Sequence, residues 1–341
     1  MNRPVAGILK FALFLGLGIG LIWLATHNLT AIQRRQGIQA FRTANYMLLI
    51  PALLAGLASH ITRAARWKLL ILPLGYNPSL INVFCAVMIG YLGNLAFPRL
   101  GEITRCAVLA RHERLPANQI IGTMITERAV DALSLLVLLT ATIAFQFRIL
   151  GAFFHQEILV RLTGLFHLQG NSWIFWLSGF LLFTAGLVWY LLARLKHTLL
   201  GLRLHLLLKG VWEGMRSIRN MRNRGLFIMY TLLLWTLYFG MVYIGFYTLK
   251  STSSLSLGAC FSVLAFGSIG MILTQGGIGA YQLMVEQTLV LYGTGSALAY
   301  ALGWIIWSTQ TLLIVIGGFF CVVLLPLINR QTPGQAADHH P

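Results

Sequence analysis

The stretch TERAVDALSLL places Glu127, Arg128 and Asp131 within five residues, inside an otherwise apolar run. Glu127 and Asp131 are four apart and share one face of a helix, and Arg128 reaches Asp131 at a spacing of three. If the helix begins near Ala117, after Pro116, the charges lie about 15–20 Å along it at 1.5 Å per residue, close to the middle of a bilayer. A charge at that depth costs on the order of 2.5–3.5 kcal/mol, so the three must face protein or water. Two chemistries fit: an ion-pair knot that fixes helix packing, or part of a site for a charged headgroup or a proton.

A second group of charges follows a break in the chain. NLAFPRLGEITR sets Pro98, Arg99, Gly101, Glu102 and Arg105 directly after an apolar run. Pro98 removes a backbone donor and disfavours helix at Phe97, while Gly101 permits a turn, so a new helix is expected to start near Gly101. Backbone that leaves the helix inside hydrocarbon must be covered by protein or line a wet cavity. TQGGIGAY repeats the pattern later through Gln275, Gly276, Gly277 and Gly279, and sets Gly279 against Gly101. Paired breaks in the two halves of a chain point to a transporter's central site, with two re-entrant hairpins and an inverted repeat. Glu286 is a lone carboxylate in the apolar helix that follows, placed to answer one of the arginines.

The elements that must hold these residues are membrane helices. Of 341 residues 57% are hydrophobic and only 10% charged, and the mean hydropathy is +0.77. An ordinary soluble domain is roughly 25% charged. Six runs approach the length needed to cross a bilayer, at about 8–26, 46–62, 119–147, 172–193, 226–249 and 297–325, and two more, at 80–97 and 255–274, end in the breaks. The reading is an all-α polytopic membrane protein with about six full spans and two broken hairpins, one domain over 1–329. The first run reads as a retained anchor with no small-residue cleavage site, and 330–341 as a disordered tail. A basic segment at about 195–224 has apolar residues at helical spacing and predicts an amphipathic surface helix on anionic lipid.

The formal net charge of +17 sits in short loops and not in a soluble basic domain, which argues against nucleic acid. With both termini cytoplasmic and hairpins that enter and leave on one side, eighteen basic residues fall on the cytoplasmic side and six on the other. Cys85, Cys106, Cys260 and Cys321 show no CxxC spacing and read as small core residues, and the nine histidines form no ligand cluster, so neither a metal nor a cofactor is expected. No P-loop is present.

Taken in order, HITRAARWKLL, NLAFPRLGEITRCAVLARHE, TERAVDALSLL and QGGIGAYQLMVEQTLVLYG give a sequence that resembles the lysylphosphatidylglycerol synthase transmembrane-region family of flippase-like bacterial membrane proteins, over about residues 45–325. By that resemblance Arg66 and Trp67 match a basic-aromatic element, Pro98, Gly101, Glu102 and Arg105 a P-x-x-G-E-x-x-R element, Glu127, Arg128 and Asp131 an E-R-x-x-D element, and Gly276, Gly277 and Gly279 a glycine element. Gln275 stands where a proline is common and Gln282 where an acid is common. Members that synthesise aminoacylated lipid carry a soluble transferase domain, whereas about sixteen residues follow Pro326 here.

The implied role is translocation alone, in the bacterial inner membrane: a lipid flippase, not an enzyme. Arg99 and Arg105, with Arg63, Arg66 and Arg128, are expected to bind the headgroup, and the acids Glu102, Glu127, Asp131 and Glu286 to balance them, with Glu102 holding an arginine. Partners would be lipids with anionic or zwitterionic headgroups, and a lipid-modifying enzyme or a second copy of the chain. The competing readings are an intramembrane enzyme using the same carboxylates on a lipid-linked substrate, and a non-transporting scaffold.

Overall fold

The computed structural model describes residues 16–27, 30–96, 100–146 and 223–329. Among them every secondary-structure element is a helix, and no strand occurs. In chain order the helices are α1 (Gly16–Thr26), α2 (Ala31–Thr43), α3 (Leu49–Ile71), α4 (Leu80–Ala96), α5 (Leu100–Glu113), α6 (Ala117–Phe145), α7 (Arg224–Phe246), α8 (Leu257–Leu273), α9 (Ala280–Leu291) and α10 (Ser296–Ile328). Four segments are long and apolar enough to cross a bilayer: Tyr46–Leu74, Ala117–Phe145, Arg224–Phe246 and Ser296–Ile328. They correspond to four of the six expected spans. The expected span at 172–193, the surface helix at 195–224 and the tail lie outside the described residues. Outward-facing Leu136, Val137, Leu232, Ile316, Phe319 and Val323 are exposed as lipid-facing residues of a membrane bundle would be. The protein is an all-α polytopic membrane protein.

Two polar ties mark the ends of the bundle. At one end Asn82 and Asn329 exchange amide hydrogen bonds of 2.9 and 3.1 Å, and Glu113 accepts from Asn82 Nδ2 (2.6 Å) and from the backbone N–H of Ser79 (2.8 Å). This joins the start of α4 and the end of α5 to the end of α10. At the other end the N–H of Asn45 donates to the carbonyl of Thr248 at 2.8 Å, joining the approach to α3 to the exit from α7.

Between these ends the four helices α4, α5, α8 and α9 form two hairpins of opposite direction. Both outer ends of α4–α5 lie at the Asn82 end, whereas α8 begins just after α7 has reached the Asn45 end. Each arm holds 12 to 17 residues, so it spans at most about 25 Å and stops inside a layer of about 30 Å. The tips meet. Gln275 Nε2 donates to the carbonyl of Leu95 at 2.8 Å, and Trp307 Nε1 of α10 donates to the carbonyl of Gly276 at 2.7 Å. A backbone carbonyl beside each break is thus satisfied by a side chain, as hydrocarbon requires.

Local chemistry explains both breaks. Gly276, Gly277 and Gly279 have φ of 60°, 76° and 77°, the left-handed region that glycine enters freely. The first break falls between Ala96 and Leu100, so Pro98 and Arg99 lie outside the described residues. Gly101 proves not to be the turn. It is the second residue of α5, where a Cβ would collide with the Gly90 carbonyl oxygen of α4, and its N–H donates to Asn94 Oδ1 at 2.9 Å. Its lack of a side chain lets the two arms of the hairpin touch.

Candidate functional site

Four arginines and two carboxylates converge where α3, α5 and α6 meet. Arg63 and Arg66 are three apart on α3 and face α6, because Trp67 is buried beside them and its Nε1 donates to Thr123 Oγ1 of α6 at 3.0 Å. Arg63 Nη1 donates to Glu127 Oε1 and Asp131 Oδ2, each at 2.7 Å, and its Nη2 donates to the Tyr238 hydroxyl of α7 at 3.0 Å. Arg66 reaches Asp131 at 2.5 Å and Glu127 at 3.4 Å, with its guanidinium over the Phe227 ring. Arg105 comes from α5, donates to Glu127 Oε2 at 2.7 Å and stacks 4.4 Å from the centroid of Trp67. Arg128 contacts the acids only loosely, at 3.3 Å to Glu127 and 3.8 Å to Asp131. Glu127 is fully buried at the centre of the group.

The arginines do not share one role. The side chains of Arg63, Arg66 and Arg105 are between 0 and 6% exposed, whereas that of Arg128 is 35% exposed. Arg63 and Arg128 line a cavity of about 490 Å³, but Arg66 and Arg105 stand behind it. Guanidinium stays charged, so four cations against two carboxylates leave two positive charges over. Glu102, also on the cavity wall, would reduce that excess to one. Its lining is mixed. Arg63, Arg128, His60, Asn94 and Glu102 come from α3 to α6, while α7 and α8 bring mainly apolar residues, Met241, Val242, Val263, Leu264, Met271 and Ile272, together with the hydroxyls of Tyr238 and Ser268. The hairpin tip closes one edge through Thr274, Gln275 and Gly276.

Several expectations change at this point. Arg105 is spent on Glu127 and Trp67 and does not line the cavity, because α5 turns it toward α6. Glu102 forms no ion pair among the described residues, and the acid that holds Arg105 is Glu127. Glu286 does not answer an arginine: it lies on α9 away from the group and bonds Ser296 of α10. Arg63, Arg66 and Arg105 are buried inside the bundle, so they are not loop charges and do not count toward orientation. Tyr238 and Phe227 escaped the sequence reading because nothing marks them within the ordinary apolar run of α7. All four cysteines are free and buried, as their spacing suggested, and no group of potential metal ligands occurs among the described residues.

Residues 7–332 match the family described as the lysylphosphatidylglycerol synthase TM region. The chain belongs to that family. Among curated proteins it is similar to the UPF0104 membrane protein MJ1595 of Methanocaldococcus jannaschii, with 27% identity over 144 residues. That similarity takes in 41% of this chain and spans 39% of the relative's length. No solved structure matches the chain.

Proposed function

We propose that this chain moves a lipid, or another amphiphile with an anionic headgroup, between the leaflets of a bacterial cytoplasmic membrane. The observation that carries the reading is the mixed lining of the cavity, where a partly exposed arginine from a group with excess positive charge and a set of apolar side chains share one space at the meeting point of two opposed hairpins. Arginine suits such a headgroup because its planar fork pairs with phosphate through two parallel hydrogen bonds and keeps its charge in low dielectric. Arg128 takes the headgroup first and Arg63 supports it, while Glu127 and Asp131 hold the guanidiniums apart in the empty cavity. The apolar side chains receive the start of the acyl chains. Hairpins that enter from opposite ends and touch at their tips supply the barrier that alternate access requires. Family membership is consistent with a lipid-handling membrane protein.

Reconstitution tests the reading. Liposomes with a fluorescent anionic phospholipid in both leaflets are quenched from outside by a membrane-impermeant reductant. Protein-dependent loss of the protected fraction, with the lipid chemically unchanged by the protein before the reductant is added, is the expected result. A change of lipid mass would favour an intramembrane enzyme, and an unchanged protected fraction would remove the transport role.

A further inference from the structure

A second cavity, also about 490 Å³, lies beside α9 and is lined by Leu24, Ala25, Gln33, Glu286, Gln287 and Ser296 among others. It stands apart from the arginine group, toward the bundle end where α10 begins. Glu286 is 5% exposed and is the only acid described beyond Asp131. Its Oε1 accepts from Ser296 Oγ at 2.5 Å, while its Oε2 is buried with no partner among the described residues. One turn along α10 the Tyr300 hydroxyl is likewise buried and unpartnered.

Among the described residues the surrounding elements supply no counter-ion. On α10 the titratable side chains are Tyr300 and Cys321, and α8 offers only Cys260. The cations of α2 are Arg34, Arg35 and Arg42, none of which pairs with Glu286, and Arg34 lines a separate pocket with Tyr300. His27, after α1, is exposed and bonded to backbone carbonyls. Although α10 starts at Ser296, no N–H of its first turn reaches the carboxylate. An ionised carboxylate held this way lacks the donors that make a buried charge tolerable. A hard cation is poorly served, since it seeks six or more oxygens and Gln33 Oε1 is already committed to the N–H and hydroxyl of Thr30. A carboxylic acid fits: the hydroxyl of Ser296 serves one oxygen, and a proton gives the other a donor with a neutral hydroxyl nearby.

We propose that Glu286 is a proton-binding site and that its protonation is coupled to the movement of substrate through the arginine-lined cavity. The coupling rests on the transport reading above, whereas proton binding does not. The proton reaches the Glu286 carboxyl from water in the second cavity, which this side chain lines, and leaves by the same route, so nothing else is consumed. Because α9 is one arm of the hairpin whose tip meets Leu95, a change in charge on it acts on the element that closes the cavity.

The experiment has two arms on the full-length protein. Infrared difference spectra in lipid nanodiscs, taken across the range in which carboxyls and histidines titrate, should show a carboxylic C=O band that is absent in Glu286→Gln and unaffected when choline replaces sodium. A band absent from the wild type, or one that appears only when sodium is withdrawn, overturns the proton site. In liposomes carrying a labelled anionic phospholipid, a pH gradient should change the wild-type rate several-fold. Glu286→Gln should move lipid at one rate with or without the gradient, and Glu286→Asp should keep a response, which separates lost coupling from lost folding. A wild-type gradient response in Glu286→Gln overturns the coupling. Absence of transport by the wild type removes the coupling together with the transport reading and leaves the infrared result to decide the proton site.

Discussion

Glu127 Oε2 accepts from Arg105 at 2.7 Å while Glu127 Oε1 accepts from Arg63 at the same distance, so one fully buried carboxylate joins α5 to α3 through α6. Removing that carboxylate strands several guanidiniums at once. Glu127→Gln is expected to destabilise the protein by about 3–5 kcal/mol, the usual consequence of leaving a buried charge without its partner. Asp131→Asn should cost less, because Glu127 still reaches Arg63 and Arg66. Thermal unfolding in detergent ranks the two, and equal losses would contradict a central role for Glu127.

Arg128 and Arg105 should separate function from stability. Arg128→Gln removes a partly exposed cation with only loose pairing, so stability should fall by less than about 1 kcal/mol. Lipid movement should fall tenfold or more at matched protein level. Arg105→Lys retains charge but gives up the planar contact with Trp67, and should lower the unfolding temperature first. A stable Arg105→Lys protein that fails in transport would reverse these assignments.

The close approach of α4 and α5 leaves no room at Gly101. Gly101→Ala sets a Cβ against the Gly90 carbonyl, a backbone atom that cannot rotate away. Overpacking of this kind costs about 1–3 kcal/mol or more. Gly240→Ala meets nothing within 4 Å and should be neutral, which makes it the control for expression and melting measurements.

The contact between hairpin tips should be testable by cross-linking. With the four native cysteines replaced, Leu95→Cys with Gln275→Cys should be joined by a short bifunctional reagent, and transport should stop until the link is cut. Single cysteines should transport throughout. Full transport in the linked protein would show that the tips need not part.

Much of this was legible in the sequence because hydrocarbon makes charges and breaks conspicuous. Glu127, Arg128 and Asp131 announced a group of charges packed inside the bundle, and TQGGIGAY announced a turn that three positive φ values bear out. The partners were not legible. Arg63 and Arg66 look like the basic end of a span until α3 proves long enough to carry them inside, and Tyr238 lies 175 residues from the arginine it accepts from. Glu286 misled for the same reason: a lone acid in an apolar helix shows that it needs explaining, but pairing depends on helix rotation and neighbours, which one sequence does not display.

The order of synthesis gives the shared carboxylates a further meaning. Arg63 and Arg66 leave the ribosome 61 to 68 residues before Glu127 and Asp131. Until those arrive, α3 carries two guanidiniums with no anion to meet them, each disfavouring residence in the bilayer core by on the order of 2.5–3.5 kcal/mol. That cost favours keeping α3 near the interface or beside the insertion machinery until α6 arrives to neutralise it. Biogenesis of this bundle is a rendezvous between non-adjacent helices, and a mutation at Glu127 would be felt during membrane insertion, before there is a folded protein to destabilise.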